Sequence, residues 1–106
     1  MYCNGWDEQD CLDAIRFQND FNASVQADYP DMFTCGFVVQ PLYMDFALNE
    51  IERCIQLGLK VLCLPTHFLN ANSEWLSTAE SEVDPIYELA NKYRLAVQIH
   101  LSLIHI

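Results

Sequence analysis

Basic side chains are scarce in this chain: five Lys and Arg stand against fifteen Asp and Glu in 106 residues, for a formal net charge of −10. The five (Arg16, Arg53, Lys60, Lys92 and Arg94) are scattered. Nucleic-acid binding needs clustered cations to neutralise phosphates, so nucleic acid is excluded as a partner. An anionic membrane surface is disfavoured for the same reason. No apolar run approaches the ~20 residues that cross a bilayer. The opening MYCNGWDEQD lacks both the basic and the apolar region of a secretory leader and does not read as a signal peptide. Cysteines number five (Cys3, Cys11, Cys35, Cys54 and Cys63), an odd count without a C-x-x-C pair. Neither a disulfide scaffold nor a Cys-only zinc site is expected, and the thiols read as reduced, so a cytoplasmic setting is expected. There is no G-x-G-x-x-G, no Walker loop and no G-x-S-x-G, so nucleotide binding and serine hydrolysis lack support.

What remains is a globular composition, 52% hydrophobic and 19% charged, in a length that suits one small domain. Residues 7–28 read as a helix, with Ala14, Phe17, Phe21 and Val25 on its apolar face. Pro30 disfavours helical geometry at Tyr29 and ends it. Met32–Leu42, MFTCGFVVQPL, is a continuous apolar run and predicts a strand buried on both faces. Residues 45–57 return to helical period, with Asp45 placed to cap the start and Gly58 to close the end. Leu59–Thr66, LKVLCLPT, predicts a second buried strand. HFLNANSEWLSTAESEV then reads as a long polar loop. Asp84-Pro85 opens a third helix, Asp84 as N-cap, and Leu95–His100 predicts a third strand.

Helix, strand, helix, strand, helix, strand implies parallel strands joined by right-handed crossovers. The fold class is α/β. Its candidates are a doubly wound sheet or a partial (β/α)8 barrel, since a full barrel needs ~250 residues. Three such strands leave open edges and a bare face, which points to a very small open domain or to a piece of something larger.

Four stretches carry a resemblance: Asn19-Asp20, YPDMFTCGFVVQPL (29–42), LNEIERCIQLGLKVLCLPTH (48–67) and DPIYELANKYRLAVQIH (84–100). In that order and spacing they resemble the amidohydrolase-related metal-dependent hydrolases, and within them the group of aminocarboxymuconate-semialdehyde decarboxylase. The resemblance implies a (β/α)8 barrel, here with three parallel strands alternating with three helices. It implies a divalent metal, usually zinc, held by an H-x-H pair on the first strand, a middle-strand histidine and a late aspartate. His100 matches the middle-strand histidine. The chain has no H-x-H near its start and no aspartate after His100, and Leu101 replaces the usual proline. The resemblance further implies a small carboxylated substrate, hydrolysis or decarboxylation as the chemistry, and pairing of the full-length parent as a homodimer.

The last six residues, LSLIHI (101–106), follow the resemblance. They are the reading of CTG-TCT-CTT-ATA-CAC-ATC, the end of a transposon adapter used in sequencing libraries. Residues 1–100 are therefore expected to be a partial barrel domain and 101–106 an adapter translation, with His105 meaningless. The other reading is a genuine apolar extension.

Site candidates are few. His100, at a strand end, is a metal ligand by the resemblance and an ordinary structural histidine by pattern alone. Neutral imidazole is a good zinc ligand near pH 7, and barrel strand ends converge on one mouth. His67 follows the second strand on the same rim and is a candidate substrate contact, with Asn70 or Trp75 nearby in sequence; a solvated loop histidine is the plainer reading. Glu50, Glu52, Glu80, Glu82 and Glu88 read as solvated surface. Cys63 lacks an identifiable base and so is not a nucleophile candidate. One histidine cannot hold zinc tightly, so this chain is expected to be inactive and to bind no metal tightly. The competing functional class is a small non-catalytic α/β domain that binds a partner through its sheet edges.

Overall fold

The computed structural model describes residues 7–100. The chain runs α1 (Glu8–Asp28), β1 (Gly36–Val38), α2 (Met44–Gln56), β2 (Val61–Pro65), β3 (His67–Leu69), β4 (Trp75–Ser77), a single 3-10 turn (Ser81–Val83), α3 (Asp84–Lys92) and β5 (Ala96–His100). Three strands form a parallel sheet in the order β1-β2-β5. Its register pairs Val38 with Cys63, Cys63 with Gln98 and Pro65 with His100. The alternation read from sequence is therefore present, as a partial and unclosed parallel sheet.

Side-chain alternation divides the sheet into two faces. Phe37, Val39, Leu62 and Leu64 point to the helical side and pack with Ala47, Ile51 and Cys54 of α2 and Ile86 and Ala90 of α3. Gly36, Val38, Cys63, Pro65, Gln98 and His100 belong to the other face by the same register. Close packing marks that face too: a Cβ on Gly36 would lie 2.7 Å from Cys63 Sγ. The β5 strand is exposed along its whole length. Its helical-side residues Val97 and Ile99 are 37% and 47% accessible, so the cover that α2 and α3 give β1 and β2 does not extend over β5.

Helix α1 turns out differently from its sequence pattern. Phe17 and Phe21 are exposed, at 74% and 56%, and the buried face is Cys11, Ile15, Asn19 and Ala23. The cause lies in the edge of β1. Asn19 Nδ2 donates to the Val38 carbonyl and Asn19 Oδ1 accepts from the Val38 N–H, both at 2.9 Å. Asn22 Nδ2 donates to the Gly36 carbonyl, and Gln26 Oε1 accepts from the Cys35 N–H. Three amides at helical spacing thus satisfy a strand edge that would otherwise need a neighbouring strand. Backbone hydrogen bonding, not apolar area, chose which face turns inward.

Other departures are local. The expected strand over 32–42 contracts to Gly36–Val38, because Met32 and Phe33 close a turn on the Tyr29 carbonyl. The expected loop after β2 contains an antiparallel hairpin, β3 on β4, pairing His67 with Ser77 and Leu69 with Trp75. Asn70 Oδ1 accepts the N–H groups of Asn72 and Glu74 and so folds its tip. Phe68 supplies the apolar anchor, buried in the main core. Pro85 stands at the start of α3 as expected, with Val83 rather than Asp84 at the cap position. Gly58, at φ +94°, ends α2 as expected. Cys11 is disulfide-bonded, against the expectation of reduced thiols, whereas Cys35, Cys54 and Cys63 are free.

Candidate active-site rim

Parallel strands present all their C-terminal ends on one side, and in α/β proteins side chains there meet ligands. Here that rim is formed by the segment after β1, by Pro65 at the end of β2 and by His100 at the end of β5. Pro65 and His100 are register partners, so the two ends are level. His100 is exposed. It lies on the same face as Gln98, whose Oε1 is 3.7 Å from the Cys63 thiol. Burial pushes the Cys63 thiol up, which keeps it protonated and removes it as a nucleophile near neutral pH.

His67 opens β3, two residues beyond Pro65, and is exposed with its Nδ1 3.2 Å from Thr66 Oγ1. The hairpin it starts is tied to the rim by its own backbone. Thr78 donates to the Thr66 carbonyl through its N–H at 2.9 Å, and Tyr87 Oη donates to the Thr78 carbonyl at 2.8 Å. Asn70 commits its Oδ1 to the hairpin tip. Trp75 sits across from Leu69, half-exposed.

The sequence-nominated histidines thus share one end of the sheet. They do not form a metal centre: among the described residues no group of three His, Cys, Asp or Glu side chains stands close enough to hold an ion. His105 lies outside the described residues. His100 is the single family-matched donor among the described residues, and one imidazole does not hold a resident zinc ion on its own.

Two residues escaped the sequence reading. Glu50, taken as solvated surface, is 2% accessible. Arg53 grips it through Nε and Nη2 at 2.7 Å each, and Asn19 donates to the same carboxylate. Arg53 also reaches Asp20 at 2.6 Å. The pair with Glu50, against a smaller opposing effect of burial, raises the Arg53 pKa further above its already high value. The second is Gln40, just past β1, 3% accessible, with an Oε1 that no group among the described residues donates to. Its signal in the sequence is a lone polar residue inside GFVVQPL. A groove between α2 and α3, lined by Leu48, Glu52, Glu88 and Lys92, lies on helix surfaces away from the strand ends.

The fold is α/β, with three parallel strands alternating with helices in a partial, unclosed sheet. The profile of the amidohydrolase family matches residues 7–106, and the chain belongs to that family. The family is one of metal-dependent hydrolases and decarboxylases built on (β/α)8 barrels. No curated protein and no solved structure matches the chain.

Proposed function

We propose that this chain is part of a metal-dependent hydrolase or carboxy-lyase that acts on a small carboxylated substrate, with His100 as one metal ligand. The observation that carries this reading is the place of His100: the last residue of a parallel strand, level with the end of β2, exposed, in a chain of the amidohydrolase family. A divalent ion, zinc by the resemblance, takes further ligands outside the described residues. His67, on the same rim, is assigned to substrate contact. The 106-residue chain by itself is inactive in this reading. The parent is a cytoplasmic enzyme that pairs as a homodimer, and residues 101–106 are adapter translation.

Zinc titration of the 106-residue chain, followed through the imidazole nitrogens by NMR, tests the assignment. His100 is expected to respond with millimolar affinity, as befits one ligand, and His100→Ala to remove the response. Micromolar binding, or binding that survives His100→Ala, contradicts it. A second reading, a small non-catalytic α/β domain that binds a partner through a sheet edge, draws on β5, the edge strand exposed along its whole length, since the edge of β1 is closed by three amides of α1.

A further inference from the structure

Helix α1 meets the sheet through one side and carries a second apolar feature on the other. Asn19 marks the inward direction, since its carboxamide holds both backbone groups of Val38. An α-helix turns about 100° per residue, so Phe17 and Phe21, two residues to either side, point about 200° away from Asn19. Asp10 and Asp28, nine residues to either side, point almost directly opposite it. These four residues therefore form one row on the outward face, Asp-Phe-Phe-Asp, about 27 Å long. All four are exposed, and Phe17 is the most exposed large apolar side chain among the described residues.

The row has a charge pattern as well as an apolar centre. Arg16, the one basic residue of α1, turns aside and lies over the Phe46 ring of α2, 4.9 Å from its centroid. Asp13 and Asp20 have partners in Gln9 and Arg53. Asp10 and Asp28 have no ion pair among the described residues. Asp28 stands at the negative end of the helix, where the last turn holds no basic residue. A carboxylate there is locally unfavourable, and a cation supplied from outside relieves it. Scattered apolar residues on a surface need no explanation, but two phenylalanines one turn apart between unpaired carboxylates mark a contact surface.

We propose that the outward face of α1 docks a cationic amphipathic helix of a partner protein. Two apolar side chains of that helix, one turn apart, cover Phe17 and Phe21, and its Lys or Arg residues two turns beyond each meet Asp10 and Asp28. Charge selects this occupant. A second copy of α1 would set aspartate against aspartate in either direction, because the row reads the same from both ends. Anionic lipid is repelled by the same carboxylates. Residues 1–6 and 101–106 of the chain contain no Lys or Arg to supply the cations. The face points away from the sheet, so it is separate from the strand-end rim and does not depend on the metal site.

The probe is a synthetic helical peptide of this pattern, two Leu one turn apart with Lys two turns beyond each, titrated into the 106-residue chain by fluorescence anisotropy. Two control peptides carry Glu for Lys or Ser for Leu. The Lys-Leu peptide is expected to bind about tenfold or more tightly than either control. Phe17→Ser with Phe21→Ser should weaken it about tenfold, and Asp10→Asn with Asp28→Asn about threefold with a shallower salt dependence. Binding that survives the phenylalanine substitutions, equal binding of either control, or binding of none of the three peptides overturns the proposal. The phenylalanine variant should keep its urea midpoint; a lower midpoint shows rings already packed within the chain and overturns the docking face. Sedimentation supplies the last check. A dimer that the phenylalanine variant dissociates makes a second copy the occupant and likewise overturns the proposal.

Discussion

Asn19 on α1 donates a 2.9 Å hydrogen bond to the buried carboxylate of Glu50 on α2, while the same carboxamide holds the N–H and the carbonyl of Val38 on β1. One side chain thereby ties two helices and a strand. Glu50 is held in turn by Arg53, and Arg53 by Asp20, the neighbour of Asn19 in sequence. The ring of contacts places β1, and so the rim above it.

Asn19→Ala should therefore destabilise the chain by about 3 kcal/mol, because it unsatisfies a strand edge and strips one donor from a buried carboxylate. Asn19→Asp should do at least as much harm, since it sets a second carboxylate against Glu50. Urea denaturation monitored by circular dichroism checks both, and a loss under about 1 kcal/mol for either contradicts the network.

Arg53→Met should cost more than Glu50→Gln. Removing the guanidinium leaves a buried carboxylate unpaired, a change worth about 3–5 kcal/mol where the pair is fully buried. Arg53 is partly exposed, at 35% of its side chain, so about 2–3 kcal/mol is expected here. Glu50→Gln keeps an acceptor for Asn19 and should cost less. The reverse ranking in paired denaturation curves contradicts the assignment.

Gly36→Ala should weaken the sheet by about 1–3 kcal/mol, since the new Cβ meets Cys63 Sγ at 2.7 Å and the Val61 carbonyl oxygen at 3.2 Å. Adding Cys63→Ala should return most of the loss. If the double variant is no more stable than the single one, the two residues do not share that face.

Cys54 sets an alkaline limit. Burial, reinforced by the nearby Glu50 carboxylate, pushes its thiol from the ordinary 9.0 up to about 12. Above pH 9 the unfolded chain loses this proton while the folded chain keeps it, so stability falls with rising pH across roughly 9 to 12. Below pH 9 this group contributes no slope. Cys54→Ala should flatten that alkaline decline, measured as the urea midpoint at pH 8, 9 and 10. An equal decline in the variant contradicts the burial of this thiol.

The helices α2 and α3 and the three parallel strands were legible because apolar period and turn residues agreed, as at Gly58 and Pro85. The inward face of α1 was not. Its amides at 19, 22 and 26 look like surface residues until a strand edge needs them, and that need is a tertiary fact. Glu50 was misread for the same reason: its partner Arg53 is close in sequence, but Asn19 comes from another helix. The β3–β4 hairpin was hidden in a polar stretch whose turn is built by Asn70, not by Gly or Pro. That His67 and His100 lie at strand ends was legible from the apolar runs before them, whereas the unmet acceptor of Gln40 shows only once its burial is known.

As a metal ligand of a larger amidohydrolase barrel, His100 requires partner ligands encoded beyond it. Resequencing the source DNA across the His100 codon, with primers outside any library adapter, tests this most directly. The expected result is a frame that departs from LSLIHI after His100 and goes on to supply further strands with a histidine and an aspartate at their ends. A frame that encodes LSLIHI and then stops contradicts the claim and leaves His100 an ordinary strand-end histidine.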